Sequence, residues 1–241
     1  METGHIVKSF DEDLGQIESL LLEMGGLVET QISEAVQALM DRDVELGEKI
    51  RGNDKRVDDL EIQINELTIR TLALRQPMAE DLRAVVTALK VAANLERIGD
   101  YAKNIAKRTS VLAHAPQIGS YRSTIKRMSK LVQDMVRDVL DAYVARDSQT
   151  AEDLRLRDEE VDQLHNTLFR ELLTYMMEDA RNITPCLHLL FIAKNIERMG
   201  DHTTGIAEQV YYLVTGTQLD EDRPKGDMTS FMSAEPEAPR H

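Results

Sequence analysis

Apolar side chains recur at intervals of three and four residues along most of the chain, which is the period of an amphipathic α-helix. One such stripe runs through Ile17, Leu20, Leu21 and Met24, and comparable stripes follow it toward Thr215. The pattern predicts six helices, at about 6–42, 44–74, 78–113, 120–146, 148–178 and 184–215. The predicted fold class is therefore all-α.

The second half of the chain repeats the first. The segment ANLERIGD, which contains Glu96, is matched by KNIERMGD, which contains Glu197, at an offset of 101 residues. Further upstream, Asp54 and its neighbours match Asp158 and its neighbours at an offset of 104 residues. Self-similarity of this kind indicates a duplicated structural unit, and each unit contains three of the predicted helices.

The repeat divides the chain into two tandem three-helix bundles, which we expect over residues 6–115 and 118–216. Pro77 and Pro185 stand where the third helix of each copy should begin, a position at which proline removes no helical hydrogen bond. Residues 217–241 lose the apolar period and turn to Asp, Glu, Pro and Ser, so we predict a disordered acidic tail.

Composition narrows the class of protein. The chain is 42% hydrophobic and carries a formal net charge of −14, which argues against nucleic acid as a partner. Its single cysteine, Cys186, rules out an internal disulfide bond and a Cys-rich zinc site. The longest uncharged run, 183–193, is too short to span a bilayer, and residues 1–10 have no apolar signal core. We therefore expect a cytoplasmic protein without a transmembrane segment.

Acidic residues stand in pairs four residues apart, which places both carboxylates of a pair on one helix face. One such pair alone is more often a solvated surface. These pairs, however, recur in both copies and lie at the edge of the apolar stripe, where like charges are unfavourable without a counter-cation. The pairs are Asp54 with Asp58, Glu96 with Asp100, Asp158 with Asp162, and Glu197 with Asp201.

The register of the helices brings these pairs together. In the first copy the centres of the two pairs lie 21 residues before and 21 residues after Pro77, so an antiparallel hairpin places them at the same height. The corresponding midpoint in the second copy falls within the polar stretch 178–182. We therefore predict two clusters of four carboxylates each. Gly99 and Gly200, inside the motifs, predict the close approach of a neighbouring helix or ligand.

Carboxylate oxygens are hard ligands, and carboxylate-lined helical bundles hold metal ions. The absence of paired His or Cys favours iron, manganese, magnesium or calcium and argues weakly against a dedicated structural zinc, without selecting one metal. The predicted ligands are the eight acidic residues of the four pairs. Glu34 and Asp138 match each other between the copies and are reserve candidates.

At these residues the chain resembles the PhoU family of phosphate-signalling regulators. The resemblance rests on NLERIGDYAKNI and KNIERMGDHTTGI, on RQPMAEDLR at 75–83, and on the duplicated plan, and it covers about residues 6–216. It implies E/D-x-x-x-D metal clusters, iron first among the metals, and a homodimer. It further implies negative regulation of the phosphate regulon and of phosphate uptake, through the transporter's ATPase subunit and a sensor histidine kinase.

Three functions agree with these observations. The first is a metal-containing regulatory adaptor that is not an enzyme. The second is a carboxylate-bridged di-metal enzyme, for which the sequence shows no general base beside the acids. The third is a structural helical scaffold whose acidic pairs are simply solvated.

Overall fold

The computed structural model describes residues 2–116, 118–119 and 121–219, with side chains from residue 9 onward. The predicted tail lies outside the described residues from residue 220 onward. No helix of the described part combines the length and the apolar content that crossing a membrane requires. The helices are α1 (Glu2–Asp41), α2 (Val44–Asn53), α3 (Lys55–Arg75), α4 (Glu80–Leu112), α5 (Tyr121–Ala145), α6 (Ser148–Glu178) and α7 (Ile183–Thr215), with a 3-10 turn at Ala180–Asn182 before α7.

The all-α prediction and the two-copy plan are confirmed. One predicted helix, 44–74, is divided into α2 and α3 at Asp54. The break follows Gly52 and Asn53, which are both weak helix formers. The amide of Val57 donates to the carbonyl oxygen of Asp54 at 2.9 Å. This hydrogen bond spans three residues, as in a 3-10 turn, and the chain then continues as α3.

The hairpin between α3 and α4 also differs from the prediction. Helix α4 begins at Glu80 rather than at Pro77, and the chain reverses through residues 76–79. Gln76 and Ala79 both have positive φ values, 48° and 50°, a region that L-residues other than Asn and Asp rarely adopt. Pro185, in contrast, lies in the first turn of α7, as predicted.

Each copy uses the same Arg-Asp turn after its first helix. Arg42 and Arg146 have φ values of 56° and 55°. The following residues, Asp43 and Asp147, cap the next helix: the Asp43 side chain accepts from the amide of Leu46, and Asp147 accepts from the amides of the first turn of α6. The repeated strain shows that the duplication extends to local backbone conformation.

The third helices of the two copies, α4 and α7, pack against each other along most of their length. Asn94 on α4 contacts His202 on α7, whereas Arg108 further along α4 contacts His188 earlier on α7. Since one sequence number rises as the other falls, the two helices are antiparallel. The buried residues of both copies form one continuous apolar core around them, and α1 also contacts α5.

Two neighbouring glycines in α1 test the contact between α1 and α5. A Cβ atom added at Gly25 would lie 2.2 Å from Cδ1 of Leu140 on α5, whereas one added at Gly26 would meet nothing within 4 Å. We expect Gly26→Ala to raise the free energy of unfolding by roughly 1 kcal/mol, the helix preference of Ala over Gly. Gly25→Ala should lose that gain to the clash with Leu140, so it should unfold at a lower denaturant concentration than Gly26→Ala. Equal stabilisation by both changes, measured by chemical denaturation, would contradict this packing.

Candidate functional site

The first acidic cluster lies where α4 passes the junction of α2 and α3. Asp54 at the junction is 4% exposed, and the ammonium of Lys103 on α4 forms an ion pair with its carboxylate. The same ammonium donates to Oδ1 of Asp100 at 2.6 Å. Lys103 therefore joins one acid from each of the two predicted pairs, and the hairpin register is the one predicted.

Glu96 and Asp58 complete this cluster and show how strongly the acids interact. Burial and the neighbouring Asp100 carboxylate, with which Glu96 shares a hydrogen bond, raise the pKa of Glu96 to about 7. Burial and the charge of Asp54 raise the pKa of Asp58 above its ordinary value. Burial lowers the pKa of Lys103, but its hydrogen bonds to Asp100 and Asp54 outweigh this effect and raise it above the ordinary value. Lys103 is therefore protonated at neutral pH.

The second cluster lies between α6 and α7 and is more deeply buried. Asp158 is 2% exposed, and Asp162 and Glu197 are both 4% exposed. Burial raises the pKa of Glu197 to about 7, an effect opposed by its hydrogen bond with Lys194 and reinforced by the Asp201 carboxylate. The ammonium of Lys194 lies 2.7 Å from Oε1 of Glu197, while Oε2 is buried without a hydrogen-bond partner in the described part of the chain.

The two motif glycines allow these approaches. A Cβ atom at Gly200 would lie 2.3 Å from Oδ1 of Asp158, so this carboxylate packs directly on the backbone of α7. A Cβ atom at Gly99 would lie 3.1 Å from the amide oxygen of Gln31 on α1. The close approach predicted from these glycines is present at both positions.

The donor chemistry of the second cluster fits a metal ion. Its four carboxylates are hard oxygen ligands, and the buried Oε2 of Glu197 lacks the partner that a cation would supply. Within the described residues, however, no three Asp, Glu, His or Cys side chains stand close enough together to hold an ion as they are placed. Metal binding at these acids stays a prediction.

The two reserve ligand candidates, Glu34 and Asp138, interact with basic side chains. Glu34 faces Lys49, with a nitrogen–oxygen distance of 4.0 Å. Asp138 accepts a hydrogen bond from Arg157 at 2.6 Å. Both acids are therefore engaged by cations of their own.

Sequence reasoning missed the two lysines of the clusters. Lys103 stands three residues after Asp100, and Lys194 stands three residues before Glu197, the spacing at which opposite charges meet on a helix. That spacing could have revealed them. The comparison of the copies concealed them, because Lys103 matches Thr204 and Lys194 matches Ala93 at the offset of the motifs.

A cavity of about 300 Å³ lies one helical turn from the second cluster, between α6 and α7. Its walls are mostly apolar, and Lys194 and the buried His165 form its polar part. The remaining lining residues are Phe169, Leu187, Leu190 and Phe191.

The fold and the clusters define a class of protein: a duplicated helical bundle that carries one acidic cluster on the third helix of each copy. The PhoU domain model matches the chain twice, over residues 21–109 and 125–210. The chain belongs to the PhoU family.

Relatives match over nearly the whole chain. A phosphate-specific transport system accessory protein PhoU homolog of Rhizobium meliloti is 47% identical, over 97% of this chain and 99% of the relative. The crystal structure of PhoU from Pseudomonas aeruginosa superimposes with a TM-score of 0.83 at 40% identity, covering 86% of this chain and 100% of that one. The phosphate transport system regulatory protein PhoU from Streptococcus pneumoniae gives 0.81 at 30% identity, covering 88% and 99%.

The raised pKa of Glu197 predicts a pH-dependent stability. The folded protein holds the proton up to about pH 7, but the unfolded chain releases it near 4.5, so this contribution is full below pH 4.5 and is lost as the pH rises through 7. Glu197→Gln removes this contribution and leaves the separate contribution of Glu96 in place. In chelator, its Tm should therefore rise relative to wild type between about pH 5 and pH 8, by about 2 to 4 °C per kcal/mol gained. The exposed Glu178→Gln is the control. Parallel profiles for wild type and Glu197→Gln would disprove the shift.

Proposed function

We propose that this chain is an accessory protein of a phosphate-specific transport system. The observation that carries the proposal is the similarity to relatives with that name, which extends over 97% of this chain and 99% of the relative from Rhizobium meliloti. A match of this extent leaves no separate domain of the relative unaccounted for. The two acidic clusters of this chain lie within the residues that the PhoU domain model matches.

We further propose that this chain is a negative regulator of the phosphate regulon and of phosphate uptake. The chain would act in the cytoplasm as a homodimer, on the transporter's ATPase subunit and on the phosphate-sensing histidine kinase. The family resemblance supports these partners. The duplicated helical bundle suits an adaptor, since it presents side chains on helices rather than on long loops.

The regulatory proposal predicts a gain of expression when the gene is deleted. In phosphate-rich medium, the deletion strain should express its phosphate-uptake genes at the level that wild type reaches only in phosphate starvation, because the signal that represses them is lost. Transcript levels and phosphate uptake check this, with the intact gene restored from a plasmid as the control. Normal repression in the deletion strain would contradict the proposal.

The metal proposal places an ion on Asp158, Asp162, Glu197 and Asp201. It is supported by the burial of Asp158, Asp162 and Glu197 and by the unsatisfied oxygen of Glu197. Bound there, a divalent cation would supply positive charge to the cluster and so favour the folded state. Iron comes first from the resemblance, and manganese, magnesium, calcium and zinc are the alternatives. The same proposal applies to Asp54, Asp58, Glu96 and Asp100. There, however, the ammonium of Lys103 already pairs with two of the four acids.

Removing two acids should change the stability in opposite directions with and without metal. Glu197→Ala with Asp201→Ala should melt below wild type when both are metal-loaded, because bound metal adds about 2.7 kcal/mol at a hundredfold excess over Kd. In chelator the variant should melt above wild type, since fewer like charges remain in a buried cluster. Melting curves with manganese and with chelator measure both.

The control is Glu152→Ala with Glu159→Ala, which removes two exposed acids of α6. This variant should keep the metal response of wild type. If the cluster variant and wild type respond alike to metal and to chelator, the acids of α7 are not ligands.

The cavity beside Lys194 favours one alternative, a carboxylate-bridged di-metal enzyme, because such an enzyme needs room for a substrate next to its metals. Hydrolysis or oxidation by the manganese- or iron-loaded protein, abolished by Glu197→Ala with Asp201→Ala, would establish this alternative in place of the adaptor.

A further inference from the structure

The turn between α3 and α4 leaves apolar side chains on the surface. Met78 in this turn is 79% exposed, and Leu74 before it and Leu82 after it are exposed as well. The turn is tied to α1, because Arg75 donates to the carboxylate of Asp13 at 3.0 Å. It therefore presents a group of large apolar side chains that the described part of the chain leaves uncovered, a feature typical of interaction surfaces.

Two cavities next to this turn share Asp81 as a wall. The first, of about 330 Å³, lies between α1 and the turn and has Phe10 and Met78 among its lining residues. The second, of about 180 Å³, has Leu14 and Leu213 among its lining residues. Since a cavity of about 150 Å³ accommodates a benzene ring, each of the two can hold one large side chain of a partner.

The acids around these cavities are exposed and have no basic partner among the side chains that the structure describes. They are Asp11, Glu80 and Asp81. The N-terminus of α4 alone would account for Glu80 and Asp81, but Asp11 lies within α1 and away from any helix end. The basic residues of the cavities are engaged elsewhere: Arg75 pairs with Asp13, and Arg146 lies over the ring of Tyr143.

The corresponding turn of the second copy provides a comparison. It also exposes a methionine, because Met177 at the end of α6 is 89% exposed. Its Asp179, however, pairs with Arg181 at 2.6 Å and caps the 3-10 turn that follows. The α3–α4 turn thus combines an exposed methionine with acids that are left for an external cation.

We propose that the α3–α4 turn and the adjoining face of α1 are the docking surface for an amphipathic helix of a partner protein. The helix would place apolar side chains in the two cavities and Lys or Arg side chains against Asp11 and Asp81. A second copy of this acidic chain, or an anionic membrane surface, would bring more negative charge to these carboxylates, so a basic helix is the occupant that the charges favour. The inference rests on the proposed adaptor function, for which it names the surface that contacts the partner.

Binding of the full chain to the purified ATPase subunit of the transporter and to the histidine kinase, measured by calorimetry at two salt concentrations, tests the proposal. Met78→Asp should raise the Kd at least about tenfold, because a charge replaces an apolar contact. Asp11→Asn with Asp81→Asn should raise the Kd and reduce its dependence on salt. The controls are Met177→Asp and the exposed pair Glu152→Gln with Glu159→Gln, which should bind as wild type does. All four should keep the melting temperature of wild type, since every changed side chain is exposed.

A synthetic helical peptide of Leu and Lys, with its Leu and Glu counterpart as the control, separates the surface from the adaptor function. If the proteins bind wild type and the α3–α4 variants alike, the docking surface is overturned and the adaptor function stands. If neither protein binds, but the Leu–Lys peptide binds wild type and Met177→Asp and not Met78→Asp, the surface stands and these partners are overturned. If Met78→Asp lowers the oligomeric state in sedimentation, the surface is a contact between copies and the proposal is overturned. If neither the proteins nor the peptide bind wild type, both are overturned.

Discussion

The antiparallel packing of α4 against α7 organises the molecule. It joins the cores of the two copies and places the two E/D-x-x-x-D motifs between the contact of Asn94 with His202 and that of Arg108 with His188. Both motifs therefore lie near the middle of the interface. Within each copy, acids of the cluster contact another helix of the same copy: Asp54 and Asp100 share Lys103, and Asp158 packs on the backbone of α7 at Gly200.

Helical periodicity and internal repetition predicted most of the fold, since both are properties of the sequence at short range or at one fixed offset. The backbone conformation of the turn between α3 and α4 was beyond such reasoning. Its strained residues, Gln76 and Ala79, belong to types that give no turn signal, and their backbone is set by the need to reverse the chain between two packed helices. The helix break at Asp54 could have been predicted from the sequence, because Gly52 and Asn53 precede it.

For the site, hairpin register was enough to predict that the two acidic pairs of the first copy lie at the same height, because helix rise is constant and the two pairs are equidistant from the turn. Register says nothing about which cation reaches them. The ion pair between Lys103 and Asp54 depends on the distance between two helices and on the rotamer of the long lysine side chain. Comparing the copies cannot recover it either, since the lysines stand at unmatched positions.

Burying several carboxylates together leaves a charge imbalance that the lysines reduce without removing. Glu96 shares a hydrogen bond with Asp100, which in turn accepts one from Lys103, whereas Glu197 accepts a hydrogen bond from Lys194 directly. Burial and neighbouring acids still raise the pKa of both glutamates to about 7. At neutral pH each cluster therefore holds a proton for part of the time. A proton and an ammonium are then alternative ways of satisfying the same oxygens, and the metal ion of the proposed function would compete with both.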